Sequence, residues 1–399
     1  MEPISRSLFY PSPGPSVWTT AVSFYTRSYG LEKMRLTGNT TRDDTTDTME
    51  RSFSADNGET WSEPEVIEFI SREHDGVHRS YAQPGFVDPV RDRLLSMLLV
   101  GRLPTDDPLE GMRQWHLWYS VSGDGGRTKA VEEQVIQEGD YDHGHPCRGV
   151  WTGRNSIMIG DSTCRPIRTR CGEILVPVQV TPVGPGGEYH NPGGGYTYHD
   201  SAVLIGRWRN DHLSWEFSDY LSNDPSRSTR GALEPTLAEM PDGRILMVLR
   251  GSNDVRPDLP GFKWFSVSGD GGRTWREVKP WTYDDGSRFY SPSSCSQLLE
   301  HSNGSFYWIG NLTPQNPSGN RPRYPLVIGE VDPESCLLRM KSTEIIQSRE
   351  PGQPREMSLS NFMAHEDRAT GDIIVNMSPL FTRKYPDWTG DAYLYRITP

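Results

Sequence analysis

The sequence predicts an all-β chain folded as a six-bladed β-propeller, and three observations carry that expectation. Short β-branched and aromatic runs alternate with Gly, Asn, Asp and Pro along the whole chain, whereas amphipathic helical runs are scarce. A turn pattern, S-x-D-x-G-x-T-W, occurs three times: SADNGETW from Ser54 to Trp61, SGDGGRTK from Ser122 to Lys129, and SGDGGRTW from Ser268 to Trp275. The spacing of the turns then sets the unit, with 68 residues between Asp56 and Asp124 and 146, about two units, between Asp124 and Asp270.

Each turn suits a tight hairpin. An Asp carboxylate accepts backbone N–H bonds within the turn, a Gly supplies positive φ, and the Trp packs between neighbouring sheets. Worn copies, RNDHLSW from Arg209 and VDPESCL from Val331, fall between or after the clear ones. With 399 residues, a unit of about 70 gives five to six blades, within the usual propeller range. Length alone would allow two or three domains, but the repeat runs through the chain, so residues 1–399 read as a single propeller domain. The N-terminal segment is expected to close the ring against the C-terminal AYLYRI strand, because closure removes an exposed sheet edge.

A second repeat locates the functional end. A residue-Pro step precedes an apolar strand in successive units, at Gln83-Pro84, Arg165-Pro166, Glu234-Pro235 and Ser291-Pro292; the last unit has Asn361-Phe362 there. If each step enters the innermost strand of its blade, Gln83, Arg165, Glu234, Ser291 and Asn361 ring one mouth of the axis.

Composition narrows the function. A formal net charge of −12 without a Lys/Arg run argues against nucleic acid and anionic membranes as partners, and no stretch approaches the ~18 apolar residues of a membrane span. The five cysteines form no CxxC, and the first residues lack a basic-then-apolar leader pattern. The expectation is free thiols and a cytoplasmic location, with secretion or a periplasmic site the alternative had a leader been trimmed. The run from Gly184 to Tyr196 lacks the context of a phosphate loop and reads as a lid. His143-x-His145 is half a ligand set without a third member, so neither metal nor cofactor is expected.

The S-x-D-x-G-x-T-W turn resembles the Asp-box (BNR repeat) of the sialidase, or neuraminidase, superfamily, and the likeness covers nearly the whole chain as a blade pattern. What the resemblance implies is a sialidase-type propeller holding a glycan on its axis. The segment ALEPTLAEMPDGRILMVLR is similar to the stretch carrying the catalytic Glu and an arginine of the anion-binding triad, roles that fall on Glu234 and Arg250. NRPRYPLVIGEVD resembles the stretch of the third arginine, placing it at Arg323, with Arg321 as fallback. The acid/base Asp of the family precedes the first Asp-box by about a dozen residues, so Asp44 takes that role, with Asp43 and Asp47 beside it.

Two departures make this a divergent member. The Arg-Ile-Pro signature is absent, leaving Arg27 and Arg35 as substitutes for the first arginine, and Asn361 stands where the family has its nucleophilic Tyr. An amide cannot attack an anomeric carbon. The expected function is therefore an exo-acting glycosidase on a terminal, anionic sugar of an oligo- or polysaccharide, other than an ordinary sialidase. Arginines bind a carboxylate or sulfate through bidentate bonds, and carboxylates such as Glu234 and Asp44 suffice for glycoside hydrolysis. The competing reading of Glu234 and Arg250 is a structural ion pair closing the hairpin. A second enzyme class is a polysaccharide lyase, using His78, Arg165, Tyr196 and Tyr198 next to a uronate. A third reading is a glycan-binding propeller without catalysis. Among the histidines, His78 lies nearest a predicted mouth; His143, His145, His190 and His199 fall in long loops that could cover it, and Trp115, Trp151 and Trp281 are candidate sugar-stacking faces.

Overall fold

A computed structural model describes residues 4–399 and arranges them as six antiparallel sheets around an axis. Blade 1 comprises Trp18–Tyr25, Lys33–Thr40, Thr48–Ser54 and Glu65–Val66. Blade 2 is built on Gly76–Ala82, Arg93–Leu103, His116–Ser122 and Val131–Gln134. In blade 3 the first strand is broken into Ile157–Met158 and Ile167–Arg168, both paired to Ile174–Val180, followed by Asp200–Arg209 and His212–Phe217. Blade 4 holds Leu233–Glu239, Ile245–Arg250, Lys263–Ser268 and Lys279–Pro280, and blade 5 starts with Gln297–Glu300, Phe306–Asn311 and Leu326–Asp332. Blade 6 runs Phe362–Glu366, Ile373–Met377, Ala392–Ile397, and takes its outermost strand, Ser5–Tyr10, from the other end of the chain. Ser5 faces Arg396 and Ser7 faces Leu394 in that pairing, so the ring closes as the sequence predicts.

The second strands of the blades are sandwiched between neighbouring sheets, which explains their unbroken apolar runs. Every residue of Ile174–Val180 and of Ile245–Arg250 is buried. Large aromatics fill the wedges between blades. Trp215 of blade 3 meets Tyr119 of blade 2 edge-on at 5.3 Å, and Trp281, next to blade 4, meets Trp308 of blade 5 at 5.3 Å.

The three repeat turns follow the third strands of blades 1, 2 and 4 and share one hydrogen-bond scheme. In the third, Ser268 Oγ donates to Asp270 Oδ1 at 2.7 Å and accepts from the Gly272 N–H at 2.9 Å, while Thr274 donates its N–H at 2.9 Å and its hydroxyl at 2.6 Å to the carboxylate. Gly271 and Gly272 sit at φ of +74° and +88°, which only glycine adopts without strain. Burial works to raise the Asp270 carboxyl, but the bonds from Thr274 and Ser268 win and hold it down at about 2.

Replacing Asp270 removes charge-assisted bonds worth ~1.5–3 kcal/mol. Asp270→Ala is expected to lower the urea midpoint by that amount of stability while leaving ligand binding on the axis intact. Because the native carboxyl is held below its unfolded value, this difference persists at neutral pH and vanishes only as pH falls through about 2. Urea melts of both proteins across that range check it.

Candidate functional site

An axial cavity of about 930 Å³ opens on one face of the ring, and most of the predicted mouth residues reach it. Gln83, Glu234 and Asn361 line it from blades 2, 4 and 6. Two of the expected steps are displaced. In blade 3 the break in the first strand puts Gly160 and Asp161 on the axis in place of Arg165. Arg165 instead turns sideways and donates to the carbonyls of Pro84, at 2.6 Å, and Gly85, so it is a pin between blades 2 and 3 and not a substrate ligand. In blade 5 the first strand starts at Gln297, so Cys295 meets the cavity while Ser291 is buried, its hydroxyl given to the Asn311 carbonyl at 2.7 Å.

Glu234 is the centre of the site. It stands in a bulge between Leu233 and Thr236, where the pairing with Ile245–Arg250 shifts register, and its φ of +45° is strained for a residue with a Cβ. Gln179 of blade 3 accepts its N–H at 2.8 Å. Its Oε1 takes a bond from Arg250 Nη1 at 2.6 Å, whereas Oε2 is buried without a hydrogen-bond partner among the described residues. Arg250 is held further by Ser293 Oγ at 2.9 Å and Asn320 Oδ1 at 3.3 Å. Burial raises the Glu234 carboxyl, but Arg250, then Arg230 and Arg323, outweigh it and hold the group ionised.

Arginines crowd the same wall. Arg323 donates Nε and Nη2 to the Ser293 carbonyl at 3.2 and 3.0 Å, and Arg321 lies over the Tyr385 ring at the rim. Arg230, which the sequence reading did not single out, is buried beside the cavity with its Nη2 on Thr197 Oγ1 at 2.5 Å. It supplies a third guanidinium where the predicted substitutes fail. Arg27 is bound to Asp92, and Arg35 is packed among Tyr10 and Trp61; neither lines the cavity.

The acidic loop of blade 1 reaches the cavity through Asp43 and Asp44. Asp47 does not, because its carboxylate closes the loop on the Thr41 N–H and hydroxyl at 2.9 and 2.8 Å. Asp44 Oδ2 accepts the Tyr196 hydroxyl at 3.0 Å, joining blade 1 to the glycine-rich loop of blade 3 across the mouth. That loop is thus a strap with one anchor on each side: the Tyr196 N–H is bound to Asp254 at 3.0 Å.

Two further groups, Asp161 and Lys263, come from beyond the predicted set, and His199, expected only in a loop that could cover the mouth, joins them. Asp161, largely buried, is 3.4 Å from Asn361 Nδ2, and burial, then the charge of Glu234, pushes its carboxyl well above the usual carboxylate range. His199 lines the cavity with neither ring nitrogen partnered among the described residues, and burial pushes it down to about 3, so it is neutral. Lys263 is buried behind the arginines with its Nζ on the Ser294 carbonyl, and burial pushes it down to about 7. No sequence motif marks these three.

Most of the remaining candidates fall outside the cavity. His78, offered as a catalytic residue, lies off the site with Nε2 3.2 Å from Asp75, because its strand enters the axis only at its far end. His143 and His145 are bound to Gln134 and to the Val150 carbonyl. Trp281 is fully buried and donates to the Cys336 carbonyl, Trp151 stacks on His145, and Trp115 reaches the cavity from a buried position. The Tyr198 hydroxyl is committed to the Asn223 carbonyl at 2.7 Å. Of the residues proposed for a lyase, only Tyr196 therefore faces the cavity. All five cysteines are free.

No family profile and no curated protein matches this sequence. Solved structures do match in shape. An intramolecular trans-sialidase from Ruminococcus gnavus, in complex with oseltamivir carboxylate, superposes at a TM-score of 0.61 with 11% identity, over 98% of this chain and 97% of its own. The NanB sialidase of Streptococcus pneumoniae gives 0.61 at 13% identity, over 98% of this chain and 70% of its own. A protein of unknown function from Dyadobacter fermentans matches over the full length of both chains, at 0.61 and 13%. The chain has the six-bladed fold of the sialidases, and at such identities the likeness extends to the fold alone.

Arg250→Met leaves Glu234 buried without its counter-ion, which costs ~3–5 kcal/mol. The loss should be largest near neutrality. It should shrink as pH falls and the unpaired carboxyl, no longer held down, takes up a proton ahead of its unfolded counterpart. Urea unfolding of the variant at neutral and mildly acidic pH measures both.

Proposed function

We propose that the protein is an exo-acting glycosidase that removes a terminal anionic sugar without the tyrosine nucleophile of an ordinary sialidase. The observation that carries this reading is the bare Oε2 of Glu234, buried on the axis beside a carboxylate-bound arginine. A strained, ionised carboxylate with one unpartnered oxygen costs folding free energy. A propeller that only bound glycans would gain nothing from that cost, whereas a hydrolase uses such a carboxylate against an anomeric carbon or an attacking water.

The charge distribution supports an acidic substrate. Arg323, Arg230 and Arg321 border the same cavity, and a carboxylate or sulfate on the sugar would meet their unused N–H groups. The strap from Asp44 to Tyr196 narrows the mouth, which favours a chain end over a polymer running through. Asn361 stands at the step where the resemblance puts the family tyrosine, and the tyrosines that do border the cavity, Tyr81, Tyr196 and Tyr385, enter from other elements.

A panel of fluorogenic glycosides tests the reading. The sialic-acid member is expected to be inert at useful rates, while at least one hexuronide or sulfated glycoside is released. Glu234→Gln should reduce that release by ~10²–10⁴-fold while the variant stays folded, since the amide oxygen can still accept from Arg250 although the arginine loses its counter-charge. Rapid release of sialic acid, or no release from any acidic glycoside, would sink it.

A further inference from the structure

We propose that Asp161 is the proton donor of this site and works as one unit with Glu234. The inference rests on the glycosidase reading and adds a residue that neither the repeats nor the family likeness selects.

The geometry comes from the break in blade 3. Ile157–Met158 and Ile167–Arg168 both pair with Ile174–Val180, and the residues between them leave the sheet and meet the axis. Within that excursion Gly160 packs directly on Glu234: a Cβ there would lie 2.5 Å from Glu234 Cγ. No side chain fits, so the backbone of blade 3 lies against the Glu234 side chain and sets the next residue, Asp161, beside it in the same cavity. Asn361 closes the other side, its amide 3.4 Å from Asp161 Oδ2. Asn361 thus has a use in this chain that differs from nucleophilic attack: it can donate to the Asp161 carboxyl and orient it.

The two carboxyls lie in opposed electrostatic settings. Glu234 faces Arg250, Arg230 and Arg323 and stays ionised. Asp161 is farther from that relief. The charged and titratable groups that act on it are Glu234 and Arg250 of blade 4, with Cys164 of its own loop and Cys295 of blade 5 also close by. Burial and the Glu234 charge both favour its protonated form, and the backbone N–H groups of Thr163 and Ser162, then Arg250, oppose them more weakly. Paired carboxyls driven apart in this way divide into an acid and a base.

The step balances. Asp161 gives its proton to the glycosidic oxygen as the bond from that oxygen to the anomeric carbon breaks, and the aglycone leaves as a neutral alcohol. The Glu234 carboxylate forms the new bond to the anomeric carbon, or takes a proton from the water that does; in the first case water later releases the sugar and returns a proton to Asp161.

Leaving-group dependence separates this role from a structural one. On the acidic sugar the wild type cleaves, Asp161→Asn should lower kcat/KM for the phenyl glycoside by ~10²-fold or more. The dinitrophenyl glycoside of the same sugar, whose leaving group needs no proton, should lose only a few-fold. The basic limb of the wild-type pH profile should disappear in the variant. Equal losses on both glycosides, or an unchanged basic limb, would overturn the proposal while leaving the hydrolase reading intact. Infrared difference spectra supply a measurement independent of turnover. A protonated-carboxyl component near neutral pH in the wild type, missing from Asp161→Asn, is expected; its absence from the wild type counts against the proposal. That band together with no cleavage of any glycoside would instead sink the glycosidase reading, and the donor role with it.

Discussion

In every blade but the second, the first strand has one edge that no strand pairs, and the structure depends on how those edges are satisfied; in blade 2 the short strand Ile70–Glu73 takes that edge of Gly76–Ala82. An unpaired backbone N–H or C=O away from water costs about as much as a lost hydrogen bond. Side chains from the neighbouring blade meet much of this demand. Gln297 of blade 5 bonds both the N–H and the carbonyl of Ala364 in blade 6, at 2.8 and 2.7 Å. Thr236 of blade 4 accepts the Leu298 N–H at 2.9 Å, Asn376 accepts that of Ser23 at 2.9 Å, and Arg165 covers two carbonyls of blade 2. Ring closure by Ser5–Tyr10 and the aromatic wedges hold the blades close enough for these bonds to form.

The same constraint creates the site. Where the inner strands begin, the sheet has not yet started and the backbone is bent by a bulge in blade 4 and by an excursion in blade 3. Those irregular residues, Glu234 and Asp161, are aimed at the axis because regular pairing does not claim them. Gln179 and Gly160 in blade 3 then fix Glu234 from the side, so two neighbouring blades determine one carboxylate. A displacement of blade 3 against blade 4 would disturb this carboxylate before it disturbed any sheet.

Charge on the axis is organised in layers. Arg250, Arg230 and Arg323 keep Glu234 ionised, and burial drives Lys263 and His199 toward their neutral forms behind and beside them. The outcome is a site whose positive charge is concentrated on a few guanidiniums, groups that stay charged when desolvated and that recognise planar anions. The protein as a whole carries a net charge of −12, so an acidic ligand is attracted only by this local field.

The turns, and with them the blade count, were legible in the sequence because their chemistry is local: Asp270 bonds residues two and four positions away. Glu234 and Arg250 were legible for a related reason, since a single hairpin of 16 intervening steps brings them together. Arg165 misled because it precedes a proline as Glu234 does, while the break that shifts blade 3 by several residues leaves no mark in composition. Asp161 and Arg230 belong to the site through contacts with other blades and loops, and nothing next to them in sequence announces it. Residue order thus determined the propeller, its closure and the hairpin that carries the central ion pair. Which further side chains stand around that pair was decided by packing between blades, because burial and neighbouring charge arise only once segments distant in sequence are brought into contact.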